Sequence, residues 1–288
     1  MSALLLATSI ILSVGRNLLS KKLSFLRFGT KGFFLCQSVL FLFGAAIIAL
    51  AEGFNFKITS AQTVVFGVVY GVFLILAQWL YTAALTYGNT SLCATVYSLG
   101  FILPTLSGAV VFGEDFSFFD GVGISLAVVS LFACGINPKT ATHERRGGRY
   151  FFPLLIAMIA SGGLGIVQKL QQNSPVASER APFLLIAFSL ASVISLVAAL
   201  FKGGSAAPLL HGKIVTGALV GVCLGACNLL NTILAGRIAS AVFFPTLNIG
   251  VILLSAACGV IFFKEKFGKK ELFVFIPGVL SIIVLNVL

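Results

Sequence analysis

The polar residues of this chain are gathered into short breaks, and between them run apolar segments of about 20 residues, the length that crosses a bilayer as a helix. The segments fall at about 2–20, 31–51, 61–86, 90–113, 118–137, 151–171, 181–201, 213–235, 238–263 and 270–288. The breaks carry Lys21-Lys22, Gly53-Phe54-Asn55, Gly88-Asn89-Thr90, Glu114-Asp115 and Asn137-Pro138-Lys139. Each run is far longer than the ~10 alternating residues of an outer-membrane strand, so the pattern predicts helices. The expected fold class is an all-α integral membrane protein of ten transmembrane helices.

Composition supports the same reading. Of 288 residues 59% are hydrophobic and 9% charged, with a mean hydropathy of +1.10. A water-soluble domain carries roughly 25% charged residues, so lipid is the solvent, and the membrane the first partner, that such a surface demands. The net charge of +11 raises nucleic acid as a partner. The basic residues, however, sit in small clusters between apolar runs, where they set membrane topology; no nucleic-acid partner is expected. Cys36, Cys93, Cys134, Cys223, Cys227 and Cys258 all lie inside apolar runs, without metal-site spacing to a histidine. They read as small packing residues, and no metal or cofactor is expected. The first segment has no basic leader, and its charges follow it at Lys21 and Lys22, so it reads as a retained span rather than a signal peptide.

The longest polar stretch, Asn137 to Arg149, divides the chain into 1–137, a basic connecting loop 138–150, and 151–288, five spans on either side. The halves repeat. Ala77-Gln78-Trp79-Leu80-Tyr81 onwards aligns with Ala226-Cys227-Asn228-Leu229-Leu230, and Ser91 with Ser240. After a two-residue shift, Phe112, Glu114, Phe116 and Asp120 align with Phe263, Glu265, Phe267 and Glu271. An odd number of spans per half makes the second half enter the membrane from the opposite side, and inverted repeats of this kind characterise transporters. Of the 19 Lys and Arg, 14 fall in the loops after spans 1, 5, 7 and 9, whereas Lys57, Lys169, Arg180 and Arg237 fall on the opposite side and Arg16 inside span 1. The positive-inside rule then puts both termini outside, in a multi-pass protein of the cytoplasmic (inner) membrane.

Ala83-Ala84-Leu85 with Thr90-Ser91 and Tyr97, the Phe112-Gly113-Glu114 turn ahead of Phe116 and Asp120-Gly121, and their repetition in Ile238-Ala239-Ser240, Phe263-Lys264-Glu265 and Phe267 resemble the drug/metabolite transporter (DMT) superfamily, in its ten-helix EamA-like branch. The resemblance covers nearly the whole chain. It implies two inverted five-helix repeats, secondary transport by alternating access, and a central cavity lined mainly by spans 1, 3, 4, 6, 8 and 9. Two features depart from it. Relatives are generally drawn with both termini in the cytoplasm, and the small four-helix exporters of that superfamily use a membrane glutamate that the first span here lacks.

A polar group inside a span costs free energy, so it is the default site candidate. Arg16, beside Asn17, has two readings: a cation for an anionic solute group, or a side chain snorkelling toward the headgroups with Lys21, about 7.5 Å of helix rise away. Lys169 holds the comparable place in the second half. Gln78 and Tyr81 share a helix face next to Trp79, a donor, acceptor and aromatic wall suited to a small amphipathic solute, or else an interfacial belt. Tyr97 lies deeper in span 4. Asn228 and Asn231 in span 8, and Asn248 in span 9, serve either solute or interhelical bonding. Pro104 and Pro245 are candidate hinges in spans 4 and 9. Glu114, Asp115 and Asp120, with Glu265 and Glu271, border helix ends and read as caps or dipole partners of spans 5 and 10. Nothing in the sequence builds an enzyme active site. The expected function is secondary transport of a small organic solute (amino acid, metabolite or drug). A passive channel or a non-transporting partner subunit is the alternative. The internal repeat lets a monomer be complete and leaves a homodimer open.

Overall fold

The computed structural model describes residues 2–24, 30–54, 60–87, 93, 96–135, 151–202, 211–263 and 269–287. Thr90, Ser91, the connecting loop 138–150, and Lys264, Glu265 and Phe267 lie outside the described residues. The helices are α1 (Ser2–Ser24), α2 (Thr30–Ala51), α3 (Ala61–Tyr87), α4 (Ile102–Phe112), α5 (Phe118–Gly135), α6 (Phe151–Gln172), α7 (Arg180–Phe201), α8 (His211–Ala235), α9 (Ser240–Phe263) and α10 (Lys269–Val287), with no strand among the described residues. Six of them, α1, α2, α3, α6, α7 and α8, contain stretches long and apolar enough to cross a membrane; α4, α5, α9 and α10 contribute shorter apolar stretches. The protein is therefore an all-α, multi-pass membrane protein.

Its polarity is that of a membrane protein turned toward lipid. Large apolar side chains stand on the surface, among them Leu4, Ile11, Val110 and Phe201, whereas Ser9, Ser13, Gln37, Gln168, Lys169 and Asn228 are buried. In water this distribution would be unfavourable; in a bilayer it turns apolar side chains to hydrocarbon and keeps these polar groups away from it.

Helix ends follow local chemistry. Pro104 lacks the N–H that would meet the carbonyl of Gly100; the chain tightens there into a 3-10 turn, Leu99–Phe101, and Ile102 N–H supplies Gly100 and Leu99 instead. Gly113 adopts a left-handed φ of 63° and stops α4. Ser117 and Asp120 form a reciprocal capping box on α5: Ser117 N–H donates to Asp120 Oδ2 at 2.8 Å and Phe119 N–H to Ser117 Oγ at 3.3 Å. Asp120 thus caps the fifth helix as expected, but Glu114 does not. The left-handed Gly113 turns Glu114 back so that its N–H reaches the Gly108 carbonyl (3.0 Å), and its Oε2 accepts from Ser240 N–H at 2.7 Å. Glu114 is the cap of α9.

The chain forms two compact units, and each draws on both halves of the sequence. One comprises residues 7–75 and 167–233; the other comprises residues 1–6, 76–166 and 234–288. The boundaries fall inside α1, α3, α6 and α8. In the first unit α2 and α7 make the broadest pairing. They run antiparallel: Ser38 Oγ meets Ser192 Oγ at 3.2 Å, and at the far end Arg180 Nε stands 3.5 Å from Glu52 Oε1. In the second unit the broadest pairing is α5 with α10, followed by α9 with α4 and with α10. The α5–α10 pair is also antiparallel, with Ser281 Oγ donating to Gly123 O at 2.6 Å and Gly278 resting on Ser130.

Glycines set how closely the backbones approach. Gly217, Gly221 and Gly225, one turn apart on α8, rest on Cys36, Leu40 and Gly44, likewise one turn apart on α2. A Cβ on Gly221 would stand 2.1 Å from the carbonyl oxygen of Leu40. Gly67 and Gly71 of α3 rest in the same manner on Ile186 and Ala187 of α7. Small residues at four-residue spacing are the means by which membrane helices gain van der Waals contact that lipid cannot outcompete.

Candidate functional site

The candidate residues separate between the two units. Arg16, Asn17, Asn228 and Asn231 belong to the first; Gln78, Trp79, Tyr81, Tyr97, Asn248, Pro104 and Pro245 belong to the second.

In the first unit a polar seam runs along α1 and α8. Ser9, Ser13 and Asn17 succeed one another at four-residue spacing on α1, as do Cys223, Cys227 and Asn231 on α8, so each set lies on one face. The helices run antiparallel along it. Ser9 Oγ donates to Asn231 Oδ1 at 2.6 Å, Ser13 Oγ and Cys227 Sγ lie 3.4 Å apart, and the Cys227 thiol points to the carbonyl of Ser9 at 3.7 Å. Arg16 continues the seam. Its Nη2 donates to Asn17 Oδ1 at 3.3 Å, and it lies within electrostatic reach of the Cys223 and Cys227 thiols. It is half-buried, two turns inside the C-terminal end of α1, because α1 extends to Ser24 and takes Lys21 and Lys22 into the helix.

Beside the seam lies a second network, this one centred on Gln168 of α6. The two N–H groups of the Gln168 amide are shared among Tyr70 Oη (2.9 Å), Thr232 Oγ1 (3.1 Å) and the Asn228 carbonyl (3.4 Å). Tyr70 Oη donates in turn to Asn228 Oδ1, and Asn228 Nδ2 to the Leu224 carbonyl at 2.8 Å. Tyr70 is fully buried, its ring edge-on to Phe183 with centroids 5.0 Å apart. Asn228 and Asn231, three residues apart on α8, therefore serve different networks. Asn228 is one bond in a three-helix junction of α3, α6 and α8; Asn231 ties α8 to α1.

In the second unit, Tyr81 and Tyr97 come together, ring centroids 4.4 Å apart and planes tilted by 36°. They cover a small buried cluster of Ala84, Cys93 and Leu154. Gln78 and Trp79 are half-buried one turn earlier on α3, and the Gln78 carbonyl accepts from Thr82 Oγ1 at 2.7 Å. Asn248 donates to the carbonyl of Phe244, one turn back on its own helix, at 2.9 Å. Pro104 is buried, and its ring seats in the notch at Gly165 of α6, where a Cβ would lie 2.8 Å from it and 2.9 Å from Phe244. Pro245 is buried within α9, which continues through it.

Sequence reasoning missed Tyr70, Gln168, Ser9, Ser13 and Thr232. Serine and threonine are common in membrane helices and carry no signal singly; the four-residue repeat of Ser9, Ser13 and Asn17 was the available one. Gln168 was overlooked beside Lys169, although an amide in mid-span demands partners as a charge does.

No family model matches the chain, and no curated protein matches it in sequence. Solved structures do match in three dimensions. One crystal structure superposes with a TM-score of 0.79 over 99% of this chain and 96% of its own, at 16% sequence identity. At that identity the likeness establishes a shared fold, over nearly all of both chains.

Proposed function

We propose that the protein is a secondary transporter of a small organic solute, built as two inverted five-helix repeats and working by alternating access across the cytoplasmic membrane. The observation that carries this reading is the pairing of counterpart helices. Within the units, α2 packs on α7, α4 on α9 and α5 on α10, each partner five helices further along the chain. The pairs α2–α7 and α5–α10 run antiparallel, as counterparts related by an in-plane two-fold must. The glycine contact of α8 on α2 has its counterpart in that of α3 on α7. Such symmetry supports a protein that offers equivalent pathways to the two sides of the membrane in turn. Arg16 and Asn17 of α1, half-buried and joined among the described residues by one long bond, support a solute path, since a polar group in a bilayer costs free energy unless it is bonded or used. The resemblance of the Phe112-Gly113-Glu114 and Ala83-Ala84-Leu85 motifs to the drug/metabolite transporter superfamily agrees with this reading.

The test is counterflow. Purified protein in liposomes preloaded with a panel of amino acids, organic acids, amines and sugars should accumulate the matching labelled solute transiently. Saturable counterflow for at least one solute is expected. Folded protein giving none, or flux that neither saturates nor exchanges, overturns the reading.

A further inference from the structure

Arg16 is the one guanidinium placed inside the membrane part of α1, and neither α1 nor α8 offers it a carboxylate. None of the eight Asp and Glu residues lies within α1 or α8. Among the described residues its hydrogen bonding amounts to one long bond to Asn17 Oδ1, 3.3 Å, out of the five N–H donors that a guanidinium carries. The remaining seam is satisfied internally: Ser9 with Asn231, and Ser13 and the Ser9 carbonyl with Cys227. Those bonds hold α1 in register on α8 and stop one turn short of Arg16. Beyond Arg16, α1 continues for eight residues, about 12 Å. Arg16 is thus half-buried with donors to spare among the described residues, and the half-exposed thiol of Cys223 falls at the next position of the seam, level with Asn17 in the antiparallel register.

We propose that Arg16, with Asn17 and the Cys223 thiol at its side, binds the anionic group of the transported solute, so that the solute class is a small organic anion bearing a carboxylate or phosphate. The proposal rests on the transporter reading and names its substrate class. A guanidinium in a site of low dielectric gains more from an anion than it does in water, and its planar fork matches both groups. Lipid phosphate offers the same chemistry from another source, and the experiment separates the two.

Cys223 serves as the reporter in the test. With Cys223 as the sole cysteine, and after size-exclusion chromatography establishes a folded protein, its reaction with the anionic reagent sulfonatoethyl methanethiosulfonate is compared with that of the cationic trimethylammonium analogue. Both rates are normalised to a free thiol. The anionic reagent should be preferred by about tenfold, and Arg16→Gln should abolish the preference. Succinate, benzoate or glycerol phosphate added to the buffer should slow labelling of the Arg16 protein and leave Arg16→Gln unaffected. A preference that survives Arg16→Gln overturns the proposal. So does protection that none of these solutes gives and that appears only in nanodiscs containing phosphatidylglycerol, a result that assigns the site to lipid headgroups. If Cys223 reacts with neither reagent, thermal unfolding decides: the same anions should raise the Tm of the natural protein and not that of Arg16→Gln, and no difference overturns the proposal. Transport is scored separately. Counterflow of only neutral or cationic solutes, unchanged in Arg16→Gln, overturns the anion site and leaves the transporter reading intact; anion-dependent labelling without counterflow does the reverse.

Discussion

A single atom decides much at Gly221. Its missing Cβ is the space that Leu40's carbonyl occupies, 2.1 Å from where the methyl would stand. A Cβ on Gly15, in α1, would meet nothing within 4 Å. Both are glycines in apolar helices, so sequence alone treats them alike. Gly221→Ala should force α8 away from α2 and lower stability by about 2 kcal/mol, since backbone cannot yield as a side chain tip can. Gly15→Ala should be neutral or raise stability by roughly 0.5–1 kcal/mol through helix propensity. Unfolding in mixed detergent micelles measures both, and equal effects would contradict the packing described. The polar residues divide in the same way. Asn228 and Asn231 are identical in type and near in sequence, yet one is locked with Tyr70 and Gln168 and the other with Ser9. Their roles follow from which helix passes each position, and no local pattern encodes that.

At the scale of the element, helix starts and stops were the most legible features. Gly113 ends α4, Ser117 and Asp120 begin α5, and Pro104 forces a 3-10 turn, all from backbone rules that operate within a few residues. The partner of a cap is less legible. Glu114 borders α5 in sequence but accepts from Ser240, 126 residues away, at the start of α9. There it meets an unpaired first-turn N–H and the positive end of the helix dipole. Gly108 is required beside it, because a Cβ at that position would stand 2.5 Å from Glu114 Oε2. Glu114→Ala should therefore destabilise the unit by about 1–2 kcal/mol. Glu114→Gln, which keeps an acceptor and loses the charge, should recover about half. Amide hydrogen exchange at the first turn of α9 should quicken in the order natural, Gln, Ala. Unchanged exchange in Glu114→Ala would remove the capping role.

For the whole molecule, the distribution of charge predicts the orientation in the membrane. The 14 basic residues after spans 1, 5, 7 and 9 outweigh the four on the opposite side, and at about 1 kcal/mol per residue near an anionic leaflet such a bias decides insertion. Both termini should therefore face outward. A carboxy-terminal reporter active only in the cytoplasm should stay dark, and one active only outside should give signal; the opposite pair of results reverses the topology.

Ten apolar runs, their polar breaks and the charge bias between loops could be read without coordinates, because membrane insertion depends on the summed transfer free energy of contiguous residues and on nearby charge, both properties of the linear chain. The linear chain also suggests a twofold repeat, from Ser91 and Ser240 and from the Phe-x-Glu turns, of which Ser91, Glu265 and Phe267 lie outside the described residues. Tertiary structure alone decided which helices pair, that the chain forms two units each made from both halves, and that Gln168 and Tyr70 join Asn228 in one network. The reason is physical. Within a bilayer lipid satisfies an apolar face as well as another helix does, so hydrophobicity carries no information about partners. Partners are chosen by the close fit of glycines and by the few polar groups that must find each other. Arg16 was visible in the sequence as a charge in a span; that it stands two turns inside α1, beside Asn17 and the thiols of α8, came from the antiparallel register that Ser9, Ser13, Cys227 and Asn231 impose.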